Sequence, residues 1–198
     1  MRPRETGRRY AAIRNMGLVT TAALLPALGL LGCAAPRAPE SRLNPNTLDD
    51  DAFLGYLADQ PLVTVDEGYR AAIILAEGED THTTFDERRA WLQERNIARP
   101  AWHLEPDEYI DNGSMSFMVC QILKIKGGID RLIFGSWGLG DRRYAYRELV
   151  YRDLIVTPSA DYAPMTGGEL VNLLGLADEY MAERGIYEAK PVELQLPQ

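Results

Sequence analysis

The chain predicts an all-α body, three short helix-loop-helix repeats packed around a shared core. Three observations predict it. Beyond residue 47 the apolar residues recur three and four positions apart, the helical period. Thr or Asp residues followed three positions later by a carboxylate mark helix starts. A stretch of helix, polar turn and proline-containing loop also returns at an offset of about 55 to 57 residues. With 46% hydrophobic and 25% charged residues in 198, the composition excludes wholesale disorder and a polytopic membrane protein.

Taken in order, Phe53, Leu54 and Leu57 mark a first helix, and Gly68 to Ala76, with Ala72 and Ile73, a second. Thr84-Phe85-Asp86-Glu87 reads as a capping box opening a third helix through Trp91 and Leu92 toward Arg95. Asn112 or Ser114 opens a fourth, Met115 to Lys126, which Gly127-Gly128 closes. Arg143 to Arg152 and Gly168 to Arg184 are the last two, with Gly185 as a stop. No strand is expected in the body. In the tail, residues 187–198, the alternation of Val192, Leu194 and Leu196 leaves open whether it adds as a strand or trails.

The internal similarity pairs Trp91-Leu92-Gln93-Glu94-Arg95-Asn96-Ile97 with Glu148-Leu149-Val150-Tyr151-Arg152-Asp153-Leu154. Pro100 and Pro158 follow, then Ile110-Asp111-Asn112-Gly113 and Met165-Thr166-Gly167-Gly168 lead into the next helices. A shorter copy runs from Leu57-Ala58-Asp59 through Pro61 to Thr64-Val65-Asp66-Glu67. Each unit is too small to bury its own apolar face, so the three must share one core. This arrangement resembles S-layer homology repeats over roughly residues 48–184, in the spacing of its helices and in the quartets that open each second helix. Those quartets are Thr64-Val65-Asp66-Glu67, Asp111-Asn112-Gly113-Ser114 and Thr166-Gly167-Gly168-Glu169, against a family Thr-Arg-Ala-Glu. The resemblance implies a groove between repeats that receives a cell-wall glycan, but the arginine that would meet an anionic acceptor is missing from all three quartets. What remains is a capping role, with Thr64 and Thr166 starting helices.

The N-terminus has a different composition. Arg2, Arg4, Arg8, Arg9 and Arg14 precede a charge-free run from Met16 to Ala35 with a Leu-rich centre, the pattern of a signal peptide spanning residues 1–32. Leu30-Leu31-Gly32-Cys33 closes it and resembles the lipobox of bacterial lipoproteins. That resemblance implies that Cys33 becomes the first residue of the processed chain, carrying fatty acyl chains such as palmitate, several of which hold where one holds only marginally. It also implies a cell-envelope protein of the outer membrane, because Ala34 rather than an aspartate follows the cysteine. An uncleaved membrane-spanning helix is the alternative, since about twenty charge-free residues just reach across a bilayer. Pro36, Pro39, Ser41 and Pro45 make residues 33–46 an extended tether, and residues 47–186 the folded domain.

Removal of residues 1–32 leaves 16 basic and 28 acidic residues, a net charge of about −12. A phosphate backbone is repelled by such a body, so no nucleic-acid partner is expected. With two cysteines and two histidines, neither a metal site nor a cofactor is expected. The candidate ligand residues are Trp102, Trp137, Arg142 and Arg143, aromatic faces for a sugar ring and guanidinium groups for an anion. For Trp137 the alternative is a ring folded onto the core from the glycine-rich turn Gly135-Ser136-Trp137-Gly138. Glu77, Glu79, Asp80, His82 and Asp86 could ligate a cation or form a solvated connection. Cys120 reads as a core thiol. No nucleophile motif accompanies His103, so no catalytic residue is assigned and the chain reads as non-catalytic: a membrane-anchored scaffold for a cell-wall polymer or an envelope protein. A small envelope hydrolase using His103 with a neighbouring acid is the alternative.

Overall fold

A computed structural model describes residues 36–39, 44–125 and 140–186. The expected signal segment 1–32, Cys33, Lys126, Gly127-Gly128, Trp137 and the tail 187–198 lie outside the described residues. The fold is all-α: α1 (Asp50–Ala58), α2 (Val65–Glu77), α3 (Phe85–Glu94), α4 (Asn112–Ile122), α5 (Gly140–Tyr151) and α6 (Gly167–Glu183). Single 3-10 turns precede α1 at Pro45–Thr47 and follow α3 at Pro100–Trp102. Among the described residues, only three isolated β-bridges accompany the helices.

Helix starts follow the capping chemistry. Thr64, Thr84 and Thr166 each accept a bond from the N3 amide, while Glu67, Glu87 and Glu169 reach back to the cap amide. α4 starts earlier than expected, one residue before Asn112 and three before Ser114 as opener: Asp111 is the cap, taking Ser114 N at 2.6 Å and Ser114 Oγ at 2.8 Å. It also stops earlier, at Ile122. Lys124 takes a positive φ of 53° and Ile125 N bonds back to Cys120 O at 2.9 Å, a tight C-terminal turn that needs no glycine.

The two aligned segments end their helices identically. Asn96 (φ 58°) and Asp153 (φ 59°) occupy the left-handed region, which short polar side chains tolerate best after glycine. Ile97 N and Leu154 N then bond to the carbonyls of Leu92 and Leu149 at 2.8 and 3.0 Å. The shared leucine, Asn/Asp and aliphatic residue are thus the anchor, the left-handed corner and the apolar clasp of a Schellman turn.

The three loops that open α2, α4 and α6 meet in a closed ring. Val63 N donates to Met165 O, Met165 N to Ile110 O and Ile110 N to Val63 O, each at 2.9 Å. A second tier sits beside it: the first amides of the three helices, Val65, Asn112 and Gly167, donate to Glu108 O, Ala163 O and Gln60 O at 2.8, 3.0 and 2.9 Å. Amides at a helix start have no partner within the helix, and here each is satisfied by another unit's loop. First helices pack in the same rotation. α1 lies mainly on α6, α3 on α2 and α5 on α4, so each first helix covers the second helix of a neighbouring pair.

One apolar cluster results, with Phe53, Leu57, Tyr69, Ile73, Leu92, Met115, Met118, Leu149, Leu170 and Leu173 essentially inaccessible. Every residue from Asn112 to Cys120 is buried, which explains why α4 lacks a polar face: it is covered on all sides. Cys120 is a core thiol there, its Sγ 3.7 Å from Ala145 O.

Candidate functional site

The acidic stretch after α2 is not a solvated link throughout. Asp80 is fully buried and its carboxylate joins two arginines: Arg88 Nε donates to Oδ2 at 2.6 Å and Arg70 Nε stands 3.7 Å away. Arg88, itself 2% exposed, also donates to Asn46 Oδ1 at 2.6 Å, Asp66 Oδ1 at 2.9 Å and His82 O at 3.0 Å. Arg70 donates to Pro45 O, Leu48 O and Asp50 Oδ1 at 2.7–2.8 Å and lies over the Phe53 ring at 4.3 Å. The charge can be buried because each ion meets an opposite one and most of the guanidinium donors are hydrogen-bonded, Arg70 Nε excepted. This network clamps residues 44–48 to α2 and α3, so the last part of the expected tether belongs to the body. Glu77, Glu79 and Asp86 stay exposed, and no group of three potential metal ligands occurs among the described residues.

Two of the candidate ligand residues come together. The Arg142 guanidinium lies 4.4 Å from the Trp102 ring centroid and donates to Asp111 Oδ2 at 3.2 Å, beside the start of α4. Trp102 in turn meets Phe117 edge-on at 5.2 Å. The pair therefore fastens the loop of α3 to the α4 cap, and the charge of Arg142 already has a carboxylate partner. Arg143, its neighbour on α5, is exposed. His103 sits on an exposed turn with φ 48°, and its ring engages no acid or nucleophile among the described residues.

A cleft of about 210 Å³ opens between the start of α6, the end of α5 and the loop that joins them. Leu154, Ile155, Val156, Met165 and Leu173 form its apolar wall, with Thr157, Glu169 and Asn172 among its polar edges. Asn112 and Tyr146 set its shape: Asn112 Nδ2 donates to Ser159 Oγ at 2.9 Å and Ala160 O at 3.0 Å. Tyr146 Oη accepts from Ser159 N at 2.6 Å and donates to Ser159 O at 2.9 Å. Among the described residues, no basic side chain lines the cleft. The large hydrophobic side chains that remain exposed among the described residues, Tyr151 (83%), Val156 (66%) and Tyr162 (82%), all belong to this segment.

Sequence reasoning passed over this loop because its residues carry no reactive group. The available signal was Tyr151, Val156 and Tyr162 themselves, though only the folded chain shows that they stay exposed among the described residues.

Two titrating groups record local physics away from the cleft. Burial pushes the Tyr69 hydroxyl up to about 12, against the nearby Arg89 and Arg142 charges. Hydrogen bonds from the backbone amides of Thr83 and Thr84 hold the Glu87 carboxyl below the usual glutamate range. Among the described residues, no helix is long and apolar enough to cross a membrane. No family profile, curated protein or solved structure matches this chain.

Proposed function

We propose that this chain is a non-catalytic lipoprotein of the outer membrane, anchored through Cys33, whose helical body scaffolds an envelope protein at the α5–α6 loop. The observation that carries this reading is the apolar cleft lined by the exposed Val156, in the same stretch of chain as the exposed Tyr151 and Tyr162. Tyrosines beside an apolar recess are the composition of protein interfaces: they supply large, rigid contact area and a polar tip. The cleft offers an anionic wall polymer no cation, and the processed body repels polyanions. A glycan reading rests instead on Trp102 and Arg142, an aromatic face beside a guanidinium, together with the S-layer homology resemblance.

A photoreactive residue placed at Val156 or Tyr162 in cells should yield one discrete crosslinked species, with Glu183 as a control position. Val156→Asp should remove it. Equal crosslinking at Glu183 would overturn the reading. Sedimentation with wall sacculi that is lost in Trp102→Ala and unaffected by Val156→Asp would favour the glycan instead. Cys33→Ser tests the anchor, with release from the membrane fraction expected.

A further inference from the structure

The residues that follow the acylation position are fastened to the body. Ala38 N donates to Asp107 O at 2.8 Å, Tyr109 N approaches Pro36 O at 3.4 Å, and Arg37 and Glu108 form an antiparallel bridge. The Arg37 guanidinium straddles both Asp107 oxygens at 2.7 and 3.0 Å and reaches Glu108 Oε1 at 3.4 Å. The strip lies against the same loop that supports α2: Glu108 O receives Val65 N, and Tyr109 pairs with Thr64. An extended tether would leave the body free to roam. The fifteen residue steps from Cys33 to Leu48 allow a coil about 20 Å across on average and roughly 50 Å at full stretch. With Pro36 docked, three steps of chain separate Cys33 from the strip, at most about 11 Å.

We propose that the edge Glu105–Tyr109 is the membrane-facing edge of this protein, held against the lipid surface by docking of residues 36–38. The inference rests on the acylation of Cys33 and adds to it an orientation. The far end of α6 then points away from the bilayer: Glu183 lies sixteen residues along the helix from Gly167, about 24 Å from the ring of loops. The occupant of this edge is the bilayer that holds the acyl chains. Glu105, Asp107 and Glu108 make it acidic, so it suits a zwitterionic surface better than an anionic one.

The experiment uses the full acylated chain in phosphatidylcholine vesicles containing nitroxide-labelled lipid, with a fluorophore on Glu105→Cys or Glu183→Cys. Cys120 is buried and Cys33 is consumed by the acyl modification, so labelling is selective. Quenching several-fold stronger at position 105 than at 183 is expected. Arg37→Glu with Ala38→Pro removes both the ion pair and the amide donor outside the core; helicity should persist and the difference should collapse. Equal quenching at the two positions in the unmodified tether, or an undiminished difference in the double variant, would overturn the orientation while leaving the lipoprotein reading intact. Absence of fatty acid on Cys33, read by mass, would instead overturn the lipoprotein reading and this inference with it.

Discussion

The two glycines that open α6 make opposite predictions one residue apart. A Cβ built on Gly167 runs into the carbonyl oxygen of Leu57, with Leu57 C at 2.9 Å and Gln60 O at 3.0 Å. These are backbone atoms at the end of α1, so relief requires α1 to move off α6. The same shift stretches the Gly167 N to Gln60 O bond of the second tier, 2.9 Å long. Overpacking of this kind costs about 1–3 kcal/mol, and a weakened hydrogen bond adds about 1 kcal/mol. Alanine recovers roughly 0.5–1 kcal/mol over glycine through chain entropy. Gly167→Ala should therefore destabilise the fold by about 2–3 kcal/mol. At Gly168 the nearest atom to a new Cβ is Ala58 O at 4.0 Å, an ordinary contact, so only the entropic gain remains. Gly168→Ala should be neutral or stabilising by up to about 1 kcal/mol. Urea unfolding followed by far-ultraviolet circular dichroism separates them: with slopes of about 1–3 kcal/mol per molar, the midpoints should differ by at least about 0.7 M. Equal midpoints would refute the close approach of α1 to α6. The clash also bears on the quartet comparison, since a position that excludes a Cβ excludes an arginine.

Other predictions follow from the charged groups. Asp80→Ala leaves Arg70 and Arg88 buried without their shared counter-charge and should cost about 3–5 kcal/mol, read as a fall in thermal midpoint. Tyr69 is raised when folded, so its contribution is complete below about 10 and lost as pH climbs toward about 12. Alkaline unfolding in that window should ease in Tyr69→Phe. Glu87 is lowered when folded, so its contribution is present above the ordinary glutamate range near 4.3 and lost as pH falls through the depressed value. Carbon-detected titration of the Glu87 carboxyl should place its midpoint below the ordinary glutamate range, and a midpoint within or above that range would contradict the capping geometry.

Much of the helical framework was legible because its determinants are local. A threonine three residues before a glutamate caps a helix wherever it stands, and Leu92-Asn96-Ile97 and Leu149-Asp153-Leu154 repeat because one turn needs those three roles. The start and end of α4 were misplaced for a related reason. Asp111 and Asn112 are both good caps, and the end at Lys124 is a left-handed residue with no glycine to announce it. The site was far less legible. Trp102 and Arg142 stood out as an aromatic face and a guanidinium for a ligand, and no local pattern announced that they meet each other and Asp111, a contact that uses up the charge that made Arg142 attractive as a ligand residue.

By itself the sequence determined the helices, their caps and the three-unit spacing, since periods, caps and turns act within a few residues of chain. Only the tertiary structure decided which loops close the ring, that Asp80 joins the core rather than the solvent, that residues 36–38 lie against the body, and that Tyr151, Val156 and Tyr162 are left uncovered. The ring and the docked strip depend on loops tens of residues apart in the chain, and Asp80 joins Arg70 and Arg88, only 10 and 8 residues away, where residues 44–50 arrive to complete their network; no local pattern encodes the identity of a distant neighbour.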